Sequence, residues 1–187
     1  MTRIAAAALL ACLSTTASAR EIEGVKVPDT LDAGGSALVL NGAGVRKKSF
    51  LKVKVYVGAL YLASRSKDPQ AIVDSDESKA VRMVFMRDVD RDKILEAFKE
   101  GFENNSKPQL ASLLPKLETI RPAIPAELKE GQVLSVVYEP GKGSTVGVEG
   151  GKAVTVEGKD FADALFRNWF GKEPADSDLK EGMLGGG

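Results

Sequence analysis

The chain contains no histidine and a single cysteine, and its 26 lysines and arginines are matched by 26 aspartates and glutamates. Without histidine there is no Ser-His-Asp triad, no Cys-His dyad, no imidazole general base and no His-ligated zinc. A balanced charge count supplies no overall basic field to hold nucleic acid or an anionic membrane. Aromatic residues make up only 6% of the sequence. No apolar run approaches the roughly 20 residues that a membrane-spanning helix needs. What remains, 187 residues of which 43% are hydrophobic, corresponds to one domain with a substantial core.

The opening residues form a separate segment. Met1-Thr2-Arg3 is positively charged, Ile4 to Leu13 is apolar, and small residues end in Ala17-Ser18-Ala19. This pattern predicts a secretory leader over 1–19, cleaved after Ala19, and hence a periplasmic or secreted protein. Anchoring as a lipoprotein through Cys12 is disfavoured by the bulk of Leu10 two places before it. Cleavage removes Cys12, so the domain 20–187 has no thiol, disulfide or Cys-ligated metal. It also keeps no integral membrane segment.

Residues 20–36 are polar and begin with at most a short strand. Ala37–Leu40 reads as a buried strand, and Gly42-Ala43-Gly44 loosens the chain before a basic corner, Arg46-Lys47-Lys48. On the returning strand Leu51, Val53, Val55, Val57 and Ala59 share one face, with Phe50, Lys52, Lys54 and Tyr56 on the other. Asp68-Pro69 opens a short helix near 69–74, and Lys79–Arg87 is a strand. Asp90 starts a helix with Ile94, Ala97, Phe98, Gly101 and Phe102 on its inner side. A helix from Pro108 to Thr119 is expected to kink or break at Pro115. Strands at 132–139, 145–148 and 153–156 precede a helix whose inner side carries Phe161, Ala164, Leu165, Asn168 and Trp169. Gly171 is its natural C-cap, and the tail holds one more helical turn before fraying. Strands and helices do not alternate as a parallel sheet requires. The predicted fold is therefore α+β, an antiparallel β-sheet with a layer of helices on one face.

Few motifs carry chemistry. Gly141-Lys142-Gly143-Ser144-Thr145 has a glycine between lysine and serine and reads as a hairpin turn rather than a phosphate loop. Gly42-Ala43-Gly44 lacks the third glycine of a dinucleotide fingerprint. Asp74, Asp76 and Glu77 lack the spacing of a calcium loop, and Asp88, Asp90 and Asp92 read as favourable charge at a helix start. No cofactor and no metal site are expected. The residues that stand out are Arg46 and Tyr56, with Arg87 behind them. An arginine and a tyrosine converging between sheet and helices can clamp a carboxylate, the guanidinium through two parallel hydrogen bonds and the phenol through a third. Phe98, Phe102 and Trp169 are candidates to wall an apolar tail. The plainer reading of the same residues is a surface arginine, a strand tyrosine and ordinary core.

Taken together, the segment NGAGVRKKSFLKVKVYVGALYL (Asn41–Leu62), the Phe85-Met86-Arg87-Asp88-Val89 step, the turn Tyr138-Glu139-Pro140-Gly141 and the ending WFGKEPADSDLK resemble the chalcone isomerase-like family. They resemble its bacterial, exported, non-catalytic or fatty-acid-binding branch in particular. The resemblance implies an open-faced sandwich with a ligand cleft between sheet and helices. It matches Arg46 to the family's Gly-x-Gly-x-Arg corner. It puts Tyr56 where the isomerases carry a threonine, as in the fatty-acid-binding branch. The tyrosine, asparagine and late threonine of the isomerases fall at Asp90, Ala97 and near Ala162, so the polar network that would orient substrate and water is missing. The expectation is an exported binding protein for a fatty acid or similar amphipathic carboxylate. A chalcone isomerase-type intramolecular lyase acting on a flavonoid-like phenol and a non-catalytic envelope scaffold are the alternatives. The expected partner is a small lipid-like ligand, with no nucleic acid, and the sequence leaves the oligomeric state open.

Overall fold

Long runs of β-branched residues at period two drive the first half of the chain into strands. A computed structural model describes residues 19–48 and 51–186. Of the leader expected over 1–19 only Ala19, the first residue of β1, is described, and Cys12 and Phe50 lie outside the described residues. Eleven strands are present among them: β1 (Ala19–Ile22), β2 (Val25–Pro28), β3 (Thr30–Ala33), β4 (Ser36–Lys48), β5 (Val53–Leu62), β6 (Lys79–Phe85), β7 (Val89–Asp90), β8 (Glu127–Leu128), β9 (Val133–Glu139), β10 (Gly143–Val148) and β11 (Ala153–Val156). Five helices accompany them: α1 (Pro69–Asp74), α2 (Arg91–Asn105), α3 (Leu110–Thr119), α4 (Lys159–Phe170) and α5 (Ser177–Met183). Seven strands form one antiparallel sheet in the order β11-β10-β9-β6-β5-β4-β3. The fold is α+β, as the element order predicts.

All five helices bury side chains against the same face of the sheet, from Ile72 and Val73 of α1 to Leu179 and Met183 of α5. The opposite face carries a smaller cluster of Leu38, Leu40, Val57, Ala59, Tyr61 and Ala80. The β1–β2 hairpin covers part of it with Val27, and the Tyr61 hydroxyl donates to the Pro28 carbonyl at 2.9 Å. The entering segment is thus more ordered than its polar composition predicts.

Three local expectations need correction. Arg46 is not at a corner, because β4 continues through Lys48 and Arg46 lies opposite Tyr56 within the ladder. The pairing then jumps from Arg46–Tyr56 to Lys47–Lys54, leaving Val55 as an extra residue. Such a bulge inverts the alternation beyond it. Tyr56, Leu60 and Leu62 therefore join Val55 on the helix side, while Val57 and Ala59 turn to the outer face. Finally, Pro115 neither ends α3 nor splits it, and the helix runs on to Thr119.

The tail does not fray after one turn. Helix α5 lies on β4, where Gly42 and Gly44 leave a flat seat. A Cβ on Gly42 would fall 2.3 Å from the Gly182 carbonyl oxygen, and one on Gly182 would fall 2.7 Å from the Ala43 carbonyl oxygen. The glycines serve this contact rather than loosening the chain. Asn41 locks it, donating from Nδ2 to the Met183 and Ser66 carbonyls, both at 2.9 Å. Asp176 caps α5 at the Leu179 amide and accepts from the Lys47 amide, each at 2.9 Å. Gly42→Ala is expected to lower stability by roughly 1–3 kcal/mol, the usual range for overpacking. Thermal denaturation followed by circular dichroism checks this.

A candidate amphipathic-ligand cleft

The bulge at Val55 decides what faces the helices at the β4–β6 end of the sheet. Val53, Val55 and Tyr56 all point inward there, joined by Met83 and Phe85 at period two on β6. Ile94, Ala97 and Phe98 close the space from α2, and Trp169 closes it from α4. Between them lies a cavity of about 390 Å³. Its inner walls are aromatic and aliphatic. Phe98 meets Trp169 edge to face at 5.9 Å, and Tyr56 is tilted against Phe85 at 5.7 Å.

The polar groups gather at one end. Trp169 Nε1 donates to the Tyr56 hydroxyl oxygen at 3.0 Å. Burial raises the Tyr56 phenol above its usual range, while the Arg46 charge and hydrogen bonding from Trp169 and the Arg46 guanidinium oppose the shift without reversing it. Tyr56 therefore keeps its proton at physiological pH. Since its oxygen already accepts from tryptophan, that proton can be donated into the cavity. The Arg46 guanidinium carbon lies 5.6 Å from the centre of the Tyr56 ring. Arg46 Nε is buried and has no hydrogen-bond partner. Arg46 forms no salt bridge among the described residues. A buried donor normally finds an acceptor, and the Arg46 Nε, beside an apolar cavity, has none among the described residues.

Of the residues singled out in the sequence, Arg46, Tyr56, Phe98 and Trp169 come together at this cavity, and Arg87 stands at its rim. Phe102 does not. It is fully buried one helical turn further on, edge to face with Phe161 at 6.0 Å, and belongs to the core. Ala97 lines the cavity, whereas Asp90 is exposed beside Lys93 and Ala162 is fully buried. Sequence reasoning missed the floor, Val55, Met83 and Phe85, whose inward direction depends on the bulge. It also missed Lys48 and Lys93, which join Arg46 and Arg87 at the mouth against a single acid, Asp88. Asp88 is already engaged by Lys129 at 2.9 Å. The mouth is cationic although the chain as a whole is not.

Other motifs resolve as structure. Gly141 to Gly143 turns the β9–β10 hairpin, and the Asp76 carboxylate accepts the Tyr138 hydroxyl. Among the described residues no group of three or more histidine, cysteine, aspartate or glutamate side chains is placed to hold a metal. No described helix is long and apolar enough to cross a membrane.

An antiparallel sheet backed by helices, with an apolar cleft ending at an arginine and a buried phenol, defines an α+β open-faced sandwich. The chain belongs to the chalcone isomerase-like family, whose profile matches residues 19–185. Among solved structures, a fatty-acid-binding protein of Arabidopsis thaliana superposes with a TM-score of 0.65 at 17% identity, covering 89% of this chain and 96% of that one. At that identity the similarity establishes the shared fold. No curated protein sequence matches significantly.

Proposed function

We propose that this cleft binds a fatty acid or a closely similar amphipathic carboxylate. The buried, unpartnered Nε of Arg46 carries the reading. A carboxylate placed there accepts from the guanidinium and from the Tyr56 hydroxyl, and its tail lies over Val55, Met83, Phe85 and Phe98. Charge-assisted bonds of this kind are about twice as strong as neutral ones. Each methylene removed from water adds about 0.8 kcal/mol. The fatty-acid-binding relative, which shares the fold, supports the same reading. The leader expected over residues 1–19 supports an exported location for the site, periplasmic or secreted.

Mass spectrometry of lipids extracted from natively purified protein tests the proposal. Co-purifying fatty acids are the expected result, and an empty protein that also fails to bind added fatty acid overturns it. Cavity size sets a further expectation. At roughly 30 Å³ per non-hydrogen atom, the share of a water molecule in the liquid, a cavity of about 390 Å³ holds on the order of a dozen atoms. With two of those atoms taken by the carboxylate oxygens, affinity should rise with each methylene up to about ten carbons and then level off. A displacement series over saturated acids measures this, and a flat series would remove the tail from the cavity.

A further inference from the structure

A carboxylate bound at Arg46 and Tyr56 leaves one polar group of the cleft unused. Asn168, on the inner side of α4, is 3% exposed and lines the cavity. Its Nδ2 donates to the carbonyls of Ala164 and Leu165, at 3.0 and 3.1 Å, which orients the amide and leaves Oδ1 as the free end. Oδ1 accepts no hydrogen bond among the described residues, yet it is not one of the fully enclosed atoms that lack a partner. With so little of the residue exposed, the opening to Oδ1 is the cavity that Asn168 lines.

The fold itself has no use for this amide. Both of its hydrogen bonds return to its own helix, and neither ties α4 to another element. Helix α2 nonetheless makes room for it. A Cβ on Gly101 would overlap Oδ1, and a glycine inside a helix costs stability relative to alanine. A buried acceptor left without a donor costs stability again. An apolar residue of similar size would avoid both losses. Asn168 also sits at the head end of the cleft. The next residue, Trp169, holds the Tyr56 hydroxyl. The Asn168 carbonyl accepts from the Ala175 amide at 2.7 Å, beside Asp176 and its bond to the Lys47 amide.

We propose that the ligand is a hydroxylated fatty acid whose hydroxyl, close to the carboxylate, donates to Asn168 Oδ1. This rests on the fatty-acid reading and names the class within it. An ionised carboxylate only accepts, so a plain fatty acid leaves Oδ1 unmatched. A hydroxyl matches it. An amide N–H would bring a carbonyl that needs a donor in turn, and the indole N–H of Trp169 is already engaged.

Titration calorimetry with decanoic acid, each enantiomer of 3-hydroxydecanoic acid and 10-hydroxydecanoic acid tests it. One enantiomer of the 3-hydroxy acid should bind about three- to tenfold tighter than decanoic acid, the net worth of one hydrogen bond. The 10-hydroxy acid, with its hydroxyl at the other end of the chain, should show no such gain. Asn168→Leu should bring the affinity ratio of the 3-hydroxy acid to decanoic acid to about one. Both acids meet the same altered wall, so the ratio reads the hydrogen bond and not the cavity shape. Equal binding of decanoic acid and both 3-hydroxy enantiomers, or a preference that survives Asn168→Leu, would overturn the proposal and leave the fatty-acid reading standing. Failure of every acid to bind would overturn both.

Discussion

Arg46→Met is expected to weaken binding of a fatty acid about thirtyfold while leaving the corresponding fatty alcohol nearly unaffected. Methionine keeps much of the apolar stem but removes the charge, so a carboxylate entering the cleft loses its ion partner and keeps only the Tyr56 hydroxyl. Truncating one member of a buried, hydrogen-bonded charge pair removes roughly 2–5 kcal/mol. Arg46 is half-buried, so the low end, about 2 kcal/mol, applies. Stability should change little, since the guanidinium makes no salt bridge in the described structure. Titration calorimetry with the acid and the alcohol reads both arms. Equal losses for the two ligands would show that Arg46 acts on cavity shape and not on charge.

Lys79→Met is expected to lower the melting temperature by roughly 10 °C. Lys79 is 1% exposed, and its ammonium donates to the carbonyls of Ile72, Val73 and Ser75 at 2.7, 2.8 and 2.8 Å. These are acceptors at the C-terminal end of α1, which a helix leaves unmatched unless something reaches them. The ammonium also lies over the Tyr138 and Phe166 rings, at 5.4 and 5.2 Å from their centres. Methionine fills the space and strands the carbonyls, a loss of roughly 3–5 kcal/mol, at about 2–4 °C per kcal/mol in a domain of this size.

The substitution also changes the pH response. Burial lowers the Lys79 pKa from 10.5 to about 8, with the Lys159 charge acting in the same direction. Between those two values the unfolded chain holds a proton that the folded chain has released. The contribution of Lys79 to stability therefore rises with pH across that window and is constant below it. Melting curves from pH 7 to 10 should show the wild type gaining on Lys79→Met above about pH 8. Parallel curves would mean that the ammonium stays charged throughout.

The fold was legible because its signals are local. Asp68 caps α1 through the amides of Gln70 and Ala71, as the Asp-Pro pair implies. The four-residue spacing of Ile94, Phe98 and Phe102 places all three inside, and Gly171 follows the end of α4. The cleft was legible only in part. Arg46 and Tyr56 could be paired, but their burial depends on the single extra residue at Val55, and a one-residue slip leaves no mark in composition. Both faces of β5 are apolar, so alternation alone could not say which faces the helices. Phe102 shares its helical face with Phe98 and differs only in what α4 puts opposite it. Lys79 is marked in the sequence only as a strand start, since nothing local reveals that α1 ends against it.

The seat of α5 on β4 has a consequence for the order in which the molecule can be finished. Asn41 and Met183, which lock the two elements together, are 142 positions apart. A ribosome makes the glycine-lined strand well before its covering helix, so over that interval the growing polypeptide carries the groove bare and the Ala175 side of the cleft unbuilt. Closure therefore waits until the 142 positions that separate Asn41 from Met183 have been made.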